Sequence, residues 1–158
     1  MKIITAYPPN FSVLAKRFPI KGKQGILYAW GDRIYNPSGI TIPPWLKAHE
    51  GVHGERQGGM CDMGLCWTTP AVWWDLYIHD AEFRLREEVL AHRVEWEAYP
   101  REVSIENHQK YLDQMAERLS GPIYGDLISK REAIEMIQGR MEPNGETNET
   151  NRNNPRPC

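Results

Sequence analysis

Two histidines stand four positions apart in His49-Glu50-Gly51-Val52-His53, and this segment carries the densest chemistry in the sequence. On a helix, residues at that spacing project from one face about one turn apart. Both imidazoles can then aim a nitrogen at one Zn²⁺, at ~2.0–2.1 Å each. Glu50 follows His49 directly, so it sits beside the metal face rather than on it. From there its carboxylate can reach a water on the zinc. Zinc lowers the pKa of such a water to around 7, and Glu50 can take its proton and pass it on to a leaving nitrogen. The competing reading is a solvated helix with two surface histidines. Only five histidines occur in the chain, and these two fall in a predicted helix that follows a strand, which favours the metal.

Two histidines do not complete a zinc site, and a third protein ligand is usual. Downstream residues of the right type are His79, Glu82, Glu87, Glu88, His92 and Glu95. A hydrolase also needs a group that polarises a carbonyl. Tyr77, Tyr99, His79 and His92 are the available types, each with packing or surface exposure as its plainer explanation.

The first motif, followed by Glu88-Val89-Leu90-Ala91-His92, resembles the gluzincin arrangement of zinc metallopeptidases over roughly residues 34–96. The resemblance implies a third ligand that is a glutamate on a later helix, with a small residue three positions on and a buttressing polar residue after it. Glu88 fits, with Ala91 and then His92; Glu87, with Leu90 and Ala91, fits less well. The metzincin pattern is not met, because no histidine follows His53 until His79. The implied site is therefore His49, His53 and Glu88 on Zn²⁺, with Glu50 as general base. Its substrate would be a peptide or protein, peptidoglycan among them. His92 or Glu95 would hydrogen-bond the second nitrogen of a ligand histidine, which fixes its tautomer. In such folds an edge strand lies beside the active-site helix, where an extended peptide can add by backbone hydrogen bonds. The chain is also similar in style to small zincin-like proteins of bacteria and phages. The alternative function is accordingly a zinc-binding structural or assembly protein, for example of a phage particle, with a vestigial site.

The elements that must position these residues read as a minimal, mostly helical α+β domain over residues 1–140. Asn10 is placed to cap a helix from Phe11 to Phe18, closed by Pro19. Ile26 to Trp30 and Arg33 to Asn36 form a hairpin about Gly31-Asp32. Pro43-Pro44 opens a helix from Trp45 to Gln57, ended by Gly58-Gly59. Ala71 to Ala98 is helical in two pieces, with Phe83, Leu90 and Val94 on one side and Glu88, Ala91 and Glu95 on another. Helices follow from Ser104 to Leu119 and from Gly125 to Gly139. Met141 to Cys158 is almost without apolar residues and reads as a disordered tail.

Composition narrows the rest. The 158 residues suit one domain, and the formal net charge of −2 argues against nucleic acid or an anionic membrane as partner. Nothing approaches the ~20 apolar residues of a membrane span, and the Pro8-Pro9 break is too early for a secretory signal, so a cytoplasmic location is expected. A phage-encoded chain would instead belong to the virion. The odd count of three cysteines suggests reduced thiols, with a redox clasp or second metal site between Cys61 and Cys66 as the alternative. Trp73-Trp74 reads as core, or else as cleft wall.

Overall fold

In the computed structural model, described for residues 1–58, 61–62, 65–66 and 69–143, the chain is a mostly helical α+β fold. The thiols of Cys61 and Cys66, the Trp67 ring and the tail beyond residue 143 lie outside the described residues. A small sheet is built from β1 (Lys2–Ile4), β2 (Tyr28–Trp30) and β3 (Arg33–Tyr35), in the order β1-β3-β2. The expected hairpin is β2–β3, antiparallel with Ala29 opposite Ile34, and its Gly31 turn takes φ 58°, which glycine adopts without cost. β1 runs parallel to β3 and was not anticipated: three residues closed by a proline pair carry no alternation.

α1 (Phe11–Arg17) follows, and Asn10 holds its N-cap position without making a side-chain cap. Both polar atoms of that amide are buried and lack partners among the described residues. α2 (Pro44–Gln57) begins with proline in its first turn and ends at Gly58. Two-residue strands β4 (Cys61–Asp62) and β5 (Leu65–Cys66) pair antiparallel. The long helical stretch divides at Asp80 into α3 (Pro70–His79) and α4 (Ala81–Ala98); the Asp80 carboxylate accepts the Phe83 N–H at 2.9 Å and so starts the second helix as the first ends.

α5 (Ile105–Leu119) is capped by Ser104. The helix expected from Gly125 starts later. Gly125 and Asp126 have φ of 91° and 52°, which no right-handed helix contains. A short 3₁₀ turn (Pro122–Tyr124) ends there, and α6 (Lys130–Ile137) begins at a Ser129–Glu132 capping box. Just beyond it, residues 141 and 142 are not free: Arg93 donates to the Met141 carbonyl at 2.8 Å and pairs with Glu142 at 3.2 Å.

Two apolar clusters hold these elements. One joins α1, β2, β3 and α3 around Trp73, Tyr77 and Phe18. The other joins α4, α5 and α6 around Val89, Met115 and Ile137. α4 lies between them and packs along α2. Of the side shared by Phe83, Leu90 and Val94, only Phe83 is buried; Leu90 is partly covered and Val94 is exposed. What α4 buries instead includes Arg84, Glu87, Glu88, His92 and Glu95. Charged groups are seldom fully buried unless paired, so this face marks a built polar site.

Two contacts set the register of α2. Gln57, fully buried, accepts the Gly31 N–H at 2.8 Å and donates to the Ala29 carbonyl at 3.2 Å, spanning the hairpin turn. One turn earlier, α2 meets the hairpin at Gly54, where a Cβ would lie 2.5 Å from the Gly31 carbonyl oxygen. The Trp74 indole N–H also binds the Ala29 carbonyl, at 3.0 Å. β2 is the edge strand nearest α2, but its outward carbonyl at Ala29 is thus already taken. A strand-adding peptide would have to use the stretch before it.

Candidate metal centre

α2 presents His49, Glu50 and His53, all buried, to the buried face of α4. The Nε2 atoms of His49 and His53 are 3.2 Å apart. The Glu88 carboxylate lies 3.4 Å from His53 Nε2 through Oε1 and 3.7 Å from His49 Nε2 through Oε2. Ligands at ~2.0–2.1 Å around a tetrahedral zinc are separated by about 3.3–3.4 Å. The three groups therefore stand at close to the edge lengths of such a polyhedron, and the donor set of two imidazoles and one carboxylate suits the metal.

His49, His92 and Glu95 also lie together, but they form a different kind of group. Glu95 Oε2 accepts a hydrogen bond from His49 Nδ1–H at 2.8 Å and from His92 Nδ1–H at 2.7 Å. Those are hydrogen-bond distances with no space for an ion between. Tyr111 on α5 donates to the other oxygen, Oε1. Glu95 thus takes the buttressing role for which His92 and Glu95 were both candidates. It fixes a proton on Nδ1, so the His49 nitrogen left for a metal is Nε2. Tyr77 donates to Glu88 Oε1 at 2.6 Å and so orients the carboxylate. His53 Nδ1, by contrast, is buried with no partner among the described residues.

The imidazoles and carboxylates of the cluster shift one another. Burial alone would lower the His49 pKa, but the Glu95 hydrogen bond and the charges of Glu88, Glu95 and Glu50 outweigh it and lift it to about 9. Burial would raise Glu88, yet His53, His49 and His92 hold it well below the usual carboxylate range. Glu95 is held low in the same way, by its bonds to His49 and His92. Glu50 differs: burial dominates and leaves its pKa raised, despite the opposing pull of His49 and His53. A glutamate shifted upward is better matched to general-base work near neutral pH.

Other expected residues fall elsewhere. Glu87 is fully buried but turned to a second network: Arg56 on α2 donates to both its oxygens, at 2.5 and 2.6 Å, and the Trp73 indole N–H donates at 3.0 Å. His79 and Glu82 are exposed, and Tyr99 stacks on Tyr111 with ring centroids 4.1 Å apart. None of these three is in the cluster. The bracing by Arg56, Trp73 and Tyr111 was not anticipated. Trp73 and Tyr111 reach α4 from other helices and Arg56 reaches it from α2, 31 positions from Glu87, so no local pattern announces these contacts.

Above the cluster opens a cleft of about 290 Å³. Phe18, Ile20, Ile26, Leu27, Trp74 and Ile123 give it apolar walls, while Glu50 and the histidines line its polar part. Trp73 and Trp74 both belong to the core and both line the cleft, which joins the two readings of that pair. Comparisons with family models, curated proteins and solved structures give no match to this chain. No helix among the described residues is long and apolar enough to cross a membrane.

Proposed function

We propose that the protein is a zinc-dependent hydrolase, a metallopeptidase or amidase acting on a peptide or protein, peptidoglycan included. The observation that carries this reading is the buried triangle of His49 Nε2, His53 Nε2 and Glu88, at 3.2–3.7 Å, with Glu50 on the same helix and an apolar cleft above. Zinc held there would supply an activated water and polarise the substrate carbonyl. Glu50 would accept the proton of that water and return it to the leaving nitrogen. Glu95 holds the His49 tautomer, and Tyr77 steers Glu88. The apolar walls receive a nonpolar group of the substrate and keep bulk water from the polar end of the cleft.

A second reading is a zinc-stabilised structural or assembly protein, such as a virion component. It is favoured by the presence of a third imidazole, His92, against the same carboxylate. Two measurements separate the readings. Elemental analysis should find about one zinc per chain in both. Chelator-sensitive hydrolysis on peptide and peptidoglycan panels, lost in Glu50→Gln with zinc retained, supports the hydrolase. Zinc retention without any turnover in the unaltered chain supports the structural role.

A further inference from the structure

We infer that Arg118 is the specificity residue of the cleft and receives a carboxylate of the substrate, so that the preferred peptide carries an apolar side chain and, near it, a negative charge. The inference rests on the hydrolase reading above and deepens it by naming the substrate class.

Three observations carry it. The first is the charge of the cleft. Glu50, Glu88 and Glu95 all line it, and Arg118 is the one lysine or arginine among the described residues that does. Glutamates alone would repel an acidic peptide. A guanidinium on the same wall supplies the one place where a carboxylate is welcome.

The second is that this cation is uncommitted. Arg118 lies exposed in the last turn of α5, and its hydrogen bond among the described residues runs from Nε to the Gln114 carbonyl of its own helix, at 3.2 Å. Both terminal nitrogens are free, and no carboxylate of the described residues pairs with it. The neighbouring Glu117 pairs with Lys130 instead, at 3.3 Å. An arginine bonded through Nε still presents its two terminal nitrogens, which one carboxylate can bridge.

The third is position. Tyr111 donates to Glu95, and Tyr124 lines the cleft. Burial pushes both hydroxyls far above the usual tyrosine range, and the charge of Arg118 opposes that push at each, so the guanidinium stands within electrostatic reach of both. Arg118 also lines an open surface groove of about 500 Å³ with Lys110, Asp113, Gln114, Glu117 and Lys130. It is the residue that cleft and groove have in common, so a peptide leaving the cleft on this side passes its guanidinium. The walls at Phe18, Ile26 and Trp74 then take one side chain, and Arg118 takes a carboxylate elsewhere on the same peptide. That carboxylate is an acidic side chain or a free C-terminus.

Matched peptides test this. Each holds a phenylalanine at a fixed position, with glutamate or the neutral glutamine at the flanking positions, and a C-terminus that is free or amidated. Cleavage by the zinc-loaded, full-length chain is read as kcat/KM, and binding to the full-length Glu50→Gln chain by calorimetry. The carboxylate should be favoured at least about threefold in both readouts, and less so at high salt. Arg118→Gln should abolish the preference, and Arg118→Lys should restore part of it. An effect of glutamate identifies an acidic side chain, and an effect of the terminus identifies a carboxypeptidase; either supports the inference. No preference, or one that persists in an Arg118→Gln chain that circular dichroism shows to be folded, overturns it. Cleavage without preference sinks this inference and leaves the hydrolase standing. A binding preference that depends on Arg118, with no peptide cleaved, does the reverse.

Discussion

Glu87 and Glu88 are neighbours of the same type, and the structure gives them separate tasks that a single pair of substitutions can tell apart. Glu87→Gln removes the negative charge that Arg56 binds through two hydrogen bonds and that the Trp73 N–H also meets. Removing one partner of a buried pair costs about 3–5 kcal/mol. The Arg56 side chain keeps 14 % of its exposure and has a further interaction, so the lower end, about 3 kcal/mol, is the expected loss. For a domain of this size each kcal/mol moves the midpoint of thermal unfolding by about 2–4 °C, which gives a drop of roughly 6–12 °C. That drop should be the same with zinc and with chelator, because Glu87 braces α2 against α4 in both states. Glu88→Gln should behave differently. It should remove most of the stabilisation that zinc confers, since ligand binding stabilises a fold in proportion to its affinity. Scanning calorimetry of each variant, with and without a saturating chelator, measures both quantities. If Glu87→Gln abolished the zinc increment while Glu88→Gln preserved it, the assignment of the two carboxylates would be reversed and the reasoning refuted.

Three further outcomes are expected. Because His49 in the metal-free chain is lifted to about 9 from an ordinary 6.5, a proton competes with zinc below that pH. Apparent zinc affinity should rise about tenfold per pH unit between pH 7 and 9, and the metal-free chain should lose stability over the same rise; chelator competition and urea melts check each, and a flat affinity profile would contradict the assignment. Gly54→Ala should destabilise the fold by about 1–3 kcal/mol, since its Cβ would meet the Gly31 carbonyl at 2.5 Å. Gly51→Ala, with nothing within 4 Å, should instead gain about 0.5–1 kcal/mol from helix propensity, as denaturant titration of the pair would reveal.

The parts of the site that could be read from the sequence are those set by local geometry. His49 and His53 share a helical face because four residues make about one turn, and Glu88, Ala91, His92 and Glu95 share another for the same reason. The end of α2 at Gly58 and the hairpin about Gly31 were legible as turn chemistry. Links between distant positions were not. Tyr111 reaches Glu95 from α5, Arg56 reaches Glu87 across the helix pair, and β1 pairs with β3 across the intervening α1 and β2. Apolar periodicity does not reveal the buried face of α4, because that face is charged and its partners are supplied by α2, α3 and α5 rather than by its own neighbours. The later start of α6 depended on positive φ at Asp126 as well as Gly125, and a non-glycine residue gives little warning of that.

The most direct test of the account is a crystal structure of the zinc-loaded chain. It should place one zinc about 2.0–2.2 Å from Nε2 of His49, Nε2 of His53 and an oxygen of Glu88, with Glu95 still hydrogen-bonded to His49 Nδ1. A chain that crystallises fully folded from zinc-containing solution with no metal between those three side chains would contradict it.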